Sequence, residues 1–206
     1  MQYIDLTQTF TDNMPVYPGD PQSSLKQTAT IEKDTYTDHV IHSNMHVGTH
    51  MDAPLHMIKG GKTMDQIEPD RFFGKGIFIN AKGKPSINEA LLENIEIPES
   101  SIVLIYTGFG DKYRTPAYYE ENPQMTENFA KHMVDKKVKI VGMDILGPDV
   151  DTNWPAHKIL LGHEVLIIEN LTNLAKLAKV GKFNVIALPA KYNAEAAPVR
   201  VLAETL

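Results

Sequence analysis

The segment His46-Val-Gly-Thr-His50-Met-Asp52-Ala-Pro-Leu-His56 sets narrow limits on its own backbone. Positions 46, 50, 52 and 56 are all even, so on extended chain their side chains leave one face. Pro54 has no N–H for a central ladder, so a strand here must end or bend at that point. Gly48 has no Cβ and lets a bulky group, or a metal ion, come close to the backbone. A helix through 46–52 would set His46 and His50 one turn apart, but it would carry Gly and Thr inside and be cut short by Pro54. The spacing predicts a strand running into a turn, with His46, His50 and Asp52 converging before Pro54 and His56 just beyond it.

Imidazole and carboxylate are ligands that zinc and manganese take, so a cluster of them points to a bound metal. His39, His42, His46, His50 and His56, out of eight histidines in the chain, crowd this region. A polar loop merely rich in histidine is the plainer reading, and the even spacing of the donors speaks against it. His157 and Glu169 flank a second stretch, in which Val165 to Ile168 read as a buried strand. A carboxylate on the end of such a strand must be solvated, paired or coordinated, because burying it alone is expensive. An ordinary strand-end charge, or the first acid of a following helix, meets the same requirement.

The pattern H-x-G-T-H-x-D-x-P-x-H, followed about a hundred residues later by His157 and twelve further on by Glu169, resembles the cyclase family of metal-dependent hydrolases. Bacterial kynurenine formamidase and isatin hydrolase are members. The likeness extends over Asp5-Leu6, Met14-Pro-Val-Tyr-Pro-Gly-Asp20, Gly142-Met-Asp144, Leu160-Leu161 and Glu169-Asn-Leu171. It implies that His46, His50 and Asp52 hold one metal, that Asp52, His157 and Glu169 hold a second, and that Asp52 bridges them. It implies further that His56 is the acid/base group and that Tyr17 stands at the substrate pocket. The fold it implies is of the swivelling β/β/α type, and the assembly a homodimer or higher homo-oligomer. Formamidases of the family typically carry Trp where Tyr17 stands and Ser where Gly147 stands, so both positions depart from the formamidase pattern.

The chemistry follows from the donors. A divalent metal, Zn2+ or Mn2+ and two per chain by resemblance, lowers the pKa of bound water to about 7 and polarises a carbonyl. A neutral histidine beside it can take a proton and return it to a leaving nitrogen. The expected reaction is attack of metal-bound hydroxide on the carbonyl of a small amide, with His56 as proton shuttle; a third ligand to the first metal is its alternative role. By resemblance the activity is that of an arylformamidase, converting N-formylkynurenine to kynurenine and formate in tryptophan catabolism. Hydrolysis of a cyclic amide such as isatin, and non-catalytic binding of metal or a small ligand, are the alternatives. A structural site closes with four ligands, and His56 with the five other donors exceeds one such site.

Other chemistries are poorly served. Cysteine is absent, which removes thiol nucleophiles, zinc fingers and disulfides. No G-x-S-x-G elbow occurs. His163-Glu164 begins like H-E-x-x-H, but Ile167 takes the second ligand position. The net charge of −6 and the lack of a basic stripe argue against nucleic acid, and Lys131, Lys136, Lys137 and Lys139 read as a solvated face. No stretch is long enough for a membrane span and no signal peptide is evident, so a cytoplasmic protein is expected. Asn170-Leu-Thr172 is then a chance sequon.

At 206 residues the chain has the length of one domain, 1–206, of mixed α/β class. Strands are predicted at 2–6, 38–48, 76–82, 101–107, 138–144, 164–169, 184–189 and 198–203, and helices at 86–94, 116–122, 126–136 and 171–180. Ser86 with Glu89 fits a capping box, Thr126 an N-cap, and Gly181 a helix stop. The order suggests a central sheet with helices packed outside. Phe72-Phe73 and Trp154 are candidates to line a pocket. Asp144 and Asp149 are candidates to orient ligand histidines.

Overall fold

The computed structural model describes residues 1–119, 121–149 and 152–206. Its first half contains β1 (Tyr3–Asp5), β2 (Ser24–Ala29), α1 (Ile31–Asp34), β3 (Asp38–His42), β4 (His50–Asp52), β5 (Phe73–Asn80), β6 (Ser86–Ile87) and β7 (Ile102–Tyr106). The second half contains β8 (Gln124–Met125), α2 (Glu127–Asp135), β9 (Ile140–Met143), α3 (Pro155–Gly162), β10 (Leu166–Glu169), β11 (Phe183–Pro189) and β12 (Ala196–Thr205). Strands β5, β7, β9 and β10 run parallel at the centre of one mixed sheet. The long β12 lies antiparallel to β11, and its first residues, Ala196–Pro198, pair with β4. Since β4 also pairs with β10, the sheet closes on itself like a barrel, and β1 adds to the far end of β12.

Strands β7, β9 and β10 are buried on both faces and read as continuous apolar runs, apart from the terminal Glu169, whereas β5 carries Lys75 and is partly exposed. Ile102 and Leu104 of β7 face inward and meet Val185, Val201 and Ala203 from the opposite side of the ring. Val103 and Ile105, one residue out of phase, lie under Phe129 and Met133 of α2 and Leu160 of α3. Helix α2 begins where Thr126 was expected to cap it: its hydroxyl accepts from Phe129 N at 3.1 Å. The architecture is therefore the predicted α/β class, a barrel-like sheet with few helices outside, consistent with a swivelling β/β/α fold.

Several boundaries differ from expectation. The strand predicted over 38–48 stops at His42, and residues 43–49 form a chain of turns. The helices predicted over 86–94, 116–122 and 171–180 are short 3-10 turns at Glu89–Leu92, Pro116–Tyr119 and Leu174–Lys179, and residue 120 lies outside the described residues. Ser86 is in β6, and Asn88 caps the turn instead, accepting from Ala90 N at 3.1 Å. Gly181 caps nothing: the preceding turn ends at Lys179 with Val180 already extended. Helix α3, unpredicted, is the one that carries His157. Among the described residues no helix is long and apolar enough to cross a membrane.

Candidate metal centre

Strand β4 is the backbone of the site. Met51 points into the barrel core, so its neighbours His50 and Asp52 point to the outer face. On that face His50 stands opposite Glu169 of β10 in the antiparallel register. Pro54 then opens a 3-10 turn, where its missing N–H costs nothing, and the turn carries His56 back beside Asp52. His46 arrives from the turns before β4 rather than from the strand predicted there. Gly48 takes φ +72°, a conformation that glycine adopts without steric penalty, and this aims its carbonyl at His50 Nδ1 (2.9 Å) and Asn170 Nδ2 (3.0 Å). What comes close to Gly48 is the Met14 side chain, not a metal position.

The predicted donors come together. His46 Nδ1 lies 3.0 Å from Asp52 Oδ1 and 3.2 Å from His50 Nε2. His50 Nε2 lies 3.3 Å from Glu169 Oε2, and His157 Nε2 lies 3.2 Å from Glu169 Oε1. Two sets have donor atoms close enough to share an ion, His46–Asp52–His56 and His50–Asp52–Glu169. Asp52 belongs to both, while His56 sits within the first set and His157 joins through Glu169. This division differs from the one that the family resemblance implies, which counts His157 among the ligands and leaves His56 outside them.

The chemistry of the donor set fits a cation. Asp52 is fully buried, and neither of its oxygens has a hydrogen-bond partner in acceptable geometry, the short His46 approach included. A buried carboxylate left in that state is costly, and a divalent ion resolves it. The histidines are already oriented. His50 Nδ1 donates to the Gly48 carbonyl, and His157 Nδ1 donates to Asp149 Oδ2 at 2.7 Å, so each turns Nε2 inward. Asp149 also accepts from Ala156 N and His157 N, capping α3 from a distance. Asp144 is occupied elsewhere, with Thr107 and Gly108, so of the two acids expected to orient histidines only Asp149 does so.

Without metal these groups form an ion cluster. Burial disfavours charge on His50, but the Asp52 charge and the Glu169 contact outweigh it and lift its pKa to about 9. Burial likewise opposes His157, and the Asp149 and Glu169 carboxylates raise it to about 10. Burial works against the Asp52 carboxylate too, yet contacts with His46, His50 and His56 hold it well below the usual range. Burial dominates at His56, whose pKa falls below its ordinary value and leaves it neutral near pH 7. Raised histidines stabilise the metal-free fold fully below their ordinary 6.5, and that contribution disappears as pH climbs through about 9 and 10. Thermal unfolding of chelator-stripped protein should therefore show a midpoint that falls between pH 6.5 and 10. Metal displaces those protons, so the loaded protein should lack this fall; equal slopes would contradict the assignment.

The donors open onto a cavity of about 730 Å3, whose wall includes His46, His56, His157 and Glu169. Tyr17 stands half exposed on this wall, with its ring 6.4 Å edge-on from Trp154, which in turn stands edge-on to His157 at 5.6 Å. Phe72 and Phe73 do not line it: Phe72 is in the core and Phe73 is exposed on β5. Sequence reasoning missed Asn170, which is buried and receives the Tyr118 hydroxyl at 2.6 Å while its own amide holds Gly48 in place. It also missed Glu195, another part of the cavity wall. Gly147 shows why that position matters: a Cβ there would lie 2.6 Å from Glu169 Oε1. Gly147→Ala should displace the Glu169 carboxylate and lower metal content per chain, measurable by elemental analysis; unchanged content would show that Glu169 can move aside freely.

A barrel-like α/β sheet thus carries a buried histidine–carboxylate cluster, a candidate metal centre, at the edge of a cavity. The chain belongs to the cyclase family: the model described as "Putative cyclase" matches residues 4–150. An uncharacterized protein of Methanocaldococcus jannaschii is 34% identical over 98% of this chain and 99% of that one. The kynurenine formamidase of Salinibacter ruber is 30% identical over 98% and 97%. Among solved structures, a potential metal-dependent hydrolase with cyclase activity superimposes with a TM-score of 0.82 at 30% identity, covering 100% and 98%. Isatin hydrolase A from Labrenzia aggregata shares the fold, with a TM-score of 0.86 at 24% identity, over 99% of this chain and 93% of that one.

Proposed function

We propose that this protein is a metal-dependent amidohydrolase that cleaves the C–N bond of a small amide, most like an arylformamidase acting on N-formylkynurenine. The observation that carries this reading is the buried Asp52 carboxylate, without a well-formed hydrogen bond and ringed by imidazoles beside the cavity. His46, His50 and Asp52 would hold one divalent ion, and Asp52, His157 and Glu169 a second. Bound there, zinc or manganese supplies a Lewis acid for the substrate carbonyl and a water that ionises near pH 7. His56 is neutral near pH 7, lies against the cavity and makes no hydrogen bond through its ring among the described residues, so a lone pair is free to accept the proton of the attacking water. The same proton then goes to the amide nitrogen as the C–N bond breaks. Tyr17 and Trp154 offer an aromatic wall for a flat substrate.

One observation favours a second reading, hydrolysis of a neutral cyclic amide such as isatin. N-formylkynurenine carries an α-carboxylate beside its α-ammonium, and although Asp20 and Glu195 suit the ammonium, no lysine or arginine among the described residues lining the cavity pairs the carboxylate. Comparing kcat/KM for N-formylkynurenine and isatin on one metal-loaded sample separates the readings. Preference for the formamide supports the arylformamidase, preference for isatin the lactamase, and turnover of neither small amide counts against both.

A further inference from the structure

We propose that Glu195 is a positioning residue of the metal centre: its carboxylate accepts from His46 Nε2–H, which keeps the ring proton on that nitrogen and leaves the His46 Nδ1 lone pair free to bind metal. This rests on the metal-centre reading above. A neutral imidazole has one protonated nitrogen and one lone pair, so a ligand histidine needs an acceptor on its outer nitrogen to fix which is which. His50 has the Gly48 carbonyl and His157 has Asp149, and both present Nε2. His46 is turned the other way round. Its Nδ1 faces Asp52 and His50, so its outer nitrogen is Nε2. Among the described residues the one carboxylate within ion-pair distance of that atom is Glu195, with Oε1 at 3.5 Å.

The backbone holds Glu195 at that place. Its carbonyl accepts from Ala53 N at 2.8 Å, and the carbonyl of Ala194 accepts from Met64 N at 2.9 Å, directly before β12 meets β4. Glu195 is thus tied to the same strand end that carries Asp52. Its side chain is 38% exposed, so replacing it opens no hole in the core.

The test is zinc titration of chelator-stripped wild type, Glu195→Ala and Glu195→Gln against a chromophoric competing chelator. Glu195→Ala should weaken one zinc equivalent by about 10- to 100-fold, the usual effect of losing such a partner. Glu195→Gln keeps the shape and one acceptor oxygen, so it should recover part of that affinity; it also serves if the alanine variant folds poorly. Imidazole 1H–15N spectra of zinc-loaded wild type should show the His46 proton on Nε2. Wild-type zinc affinity in Glu195→Ala, or the proton on Nδ1, would overturn the proposal. So would a loss of kcat/KM at unchanged affinity, which would assign Glu195 to substrate. If wild type itself binds no zinc, the metal-centre reading falls and takes this one with it, whereas a change confined to the variants bears on Glu195 alone.

Discussion

Asp52→Asn should empty both metal positions while leaving a folded chain. Asparagine matches the shape of the aspartate, so Met51 and the β4 pairings with β10 and β12 keep their places. What disappears is the negative charge common to both candidate donor sets. The remaining imidazoles would then face one another with Glu169 as the one carboxylate left among the proposed ligands. Metal content after gel filtration should drop from about two per chain towards none, the stoichiometry of a two-metal site being the reference. Metal ions contribute several kcal/mol of transition-state stabilisation in such sites, so kcat should fall by about a thousandfold or more. Full metal content in Asp52→Asn would remove Asp52 as the shared ligand.

His56→Ala should act in the opposite way, keeping metal and losing turnover. His56 has two candidate roles, since its ring lies in one of the two donor sets and also on the cavity wall, tilted against His46 at 4.2 Å. Its depressed pKa suits a proton carrier that must be neutral to accept and charged to deliver. A positioned acid/base group contributes about 10²- to 10⁴-fold. The expected result is a kcat reduced within that range, KM little changed and metal per chain as in wild type. If His56→Ala instead loses metal to the same extent as His50→Ala, His56 is a ligand and the proton passes through another group.

The site was easier to read from sequence than the elements that deliver it. Every donor named from the His46–His56 segment, with His157 and Glu169, gathers around Asp52. Parity along extended chain correctly put His50 and Asp52 on one face of β4, but it failed for His46, which sits in the preceding turns. A turn can bring a side chain to the same point without any period, so the convergence was legible and its backbone was not. Continuous apolar runs identified β7, β9 and β10 because burial on both faces leaves no alternation to misread. Helix α3 went unseen because it is one short segment whose cap is not local. Trp154 at its start has a left-handed conformation, and the capping carboxylate comes from Asp149. Pro155 at the first helical position was the one available signal. Glu195 carried no pattern at all, and the run Glu169-Asn-Leu171 gave no hint of what Asn170 holds, since their partners, His46 and Gly48, are remote in sequence.

The central claim is that these residues form a hydrolytic metal centre. Its most direct test is metal per chain, measured by elemental analysis on protein purified without an affinity tag, with hydrolysis of N-formylkynurenine and isatin assayed on the same sample. About two zinc or manganese ions per chain, as in two-metal hydrolases, together with turnover that a chelator abolishes and added metal restores, is the predicted result. No bound metal, even after zinc or manganese is supplied in excess, would contradict the account at its foundation.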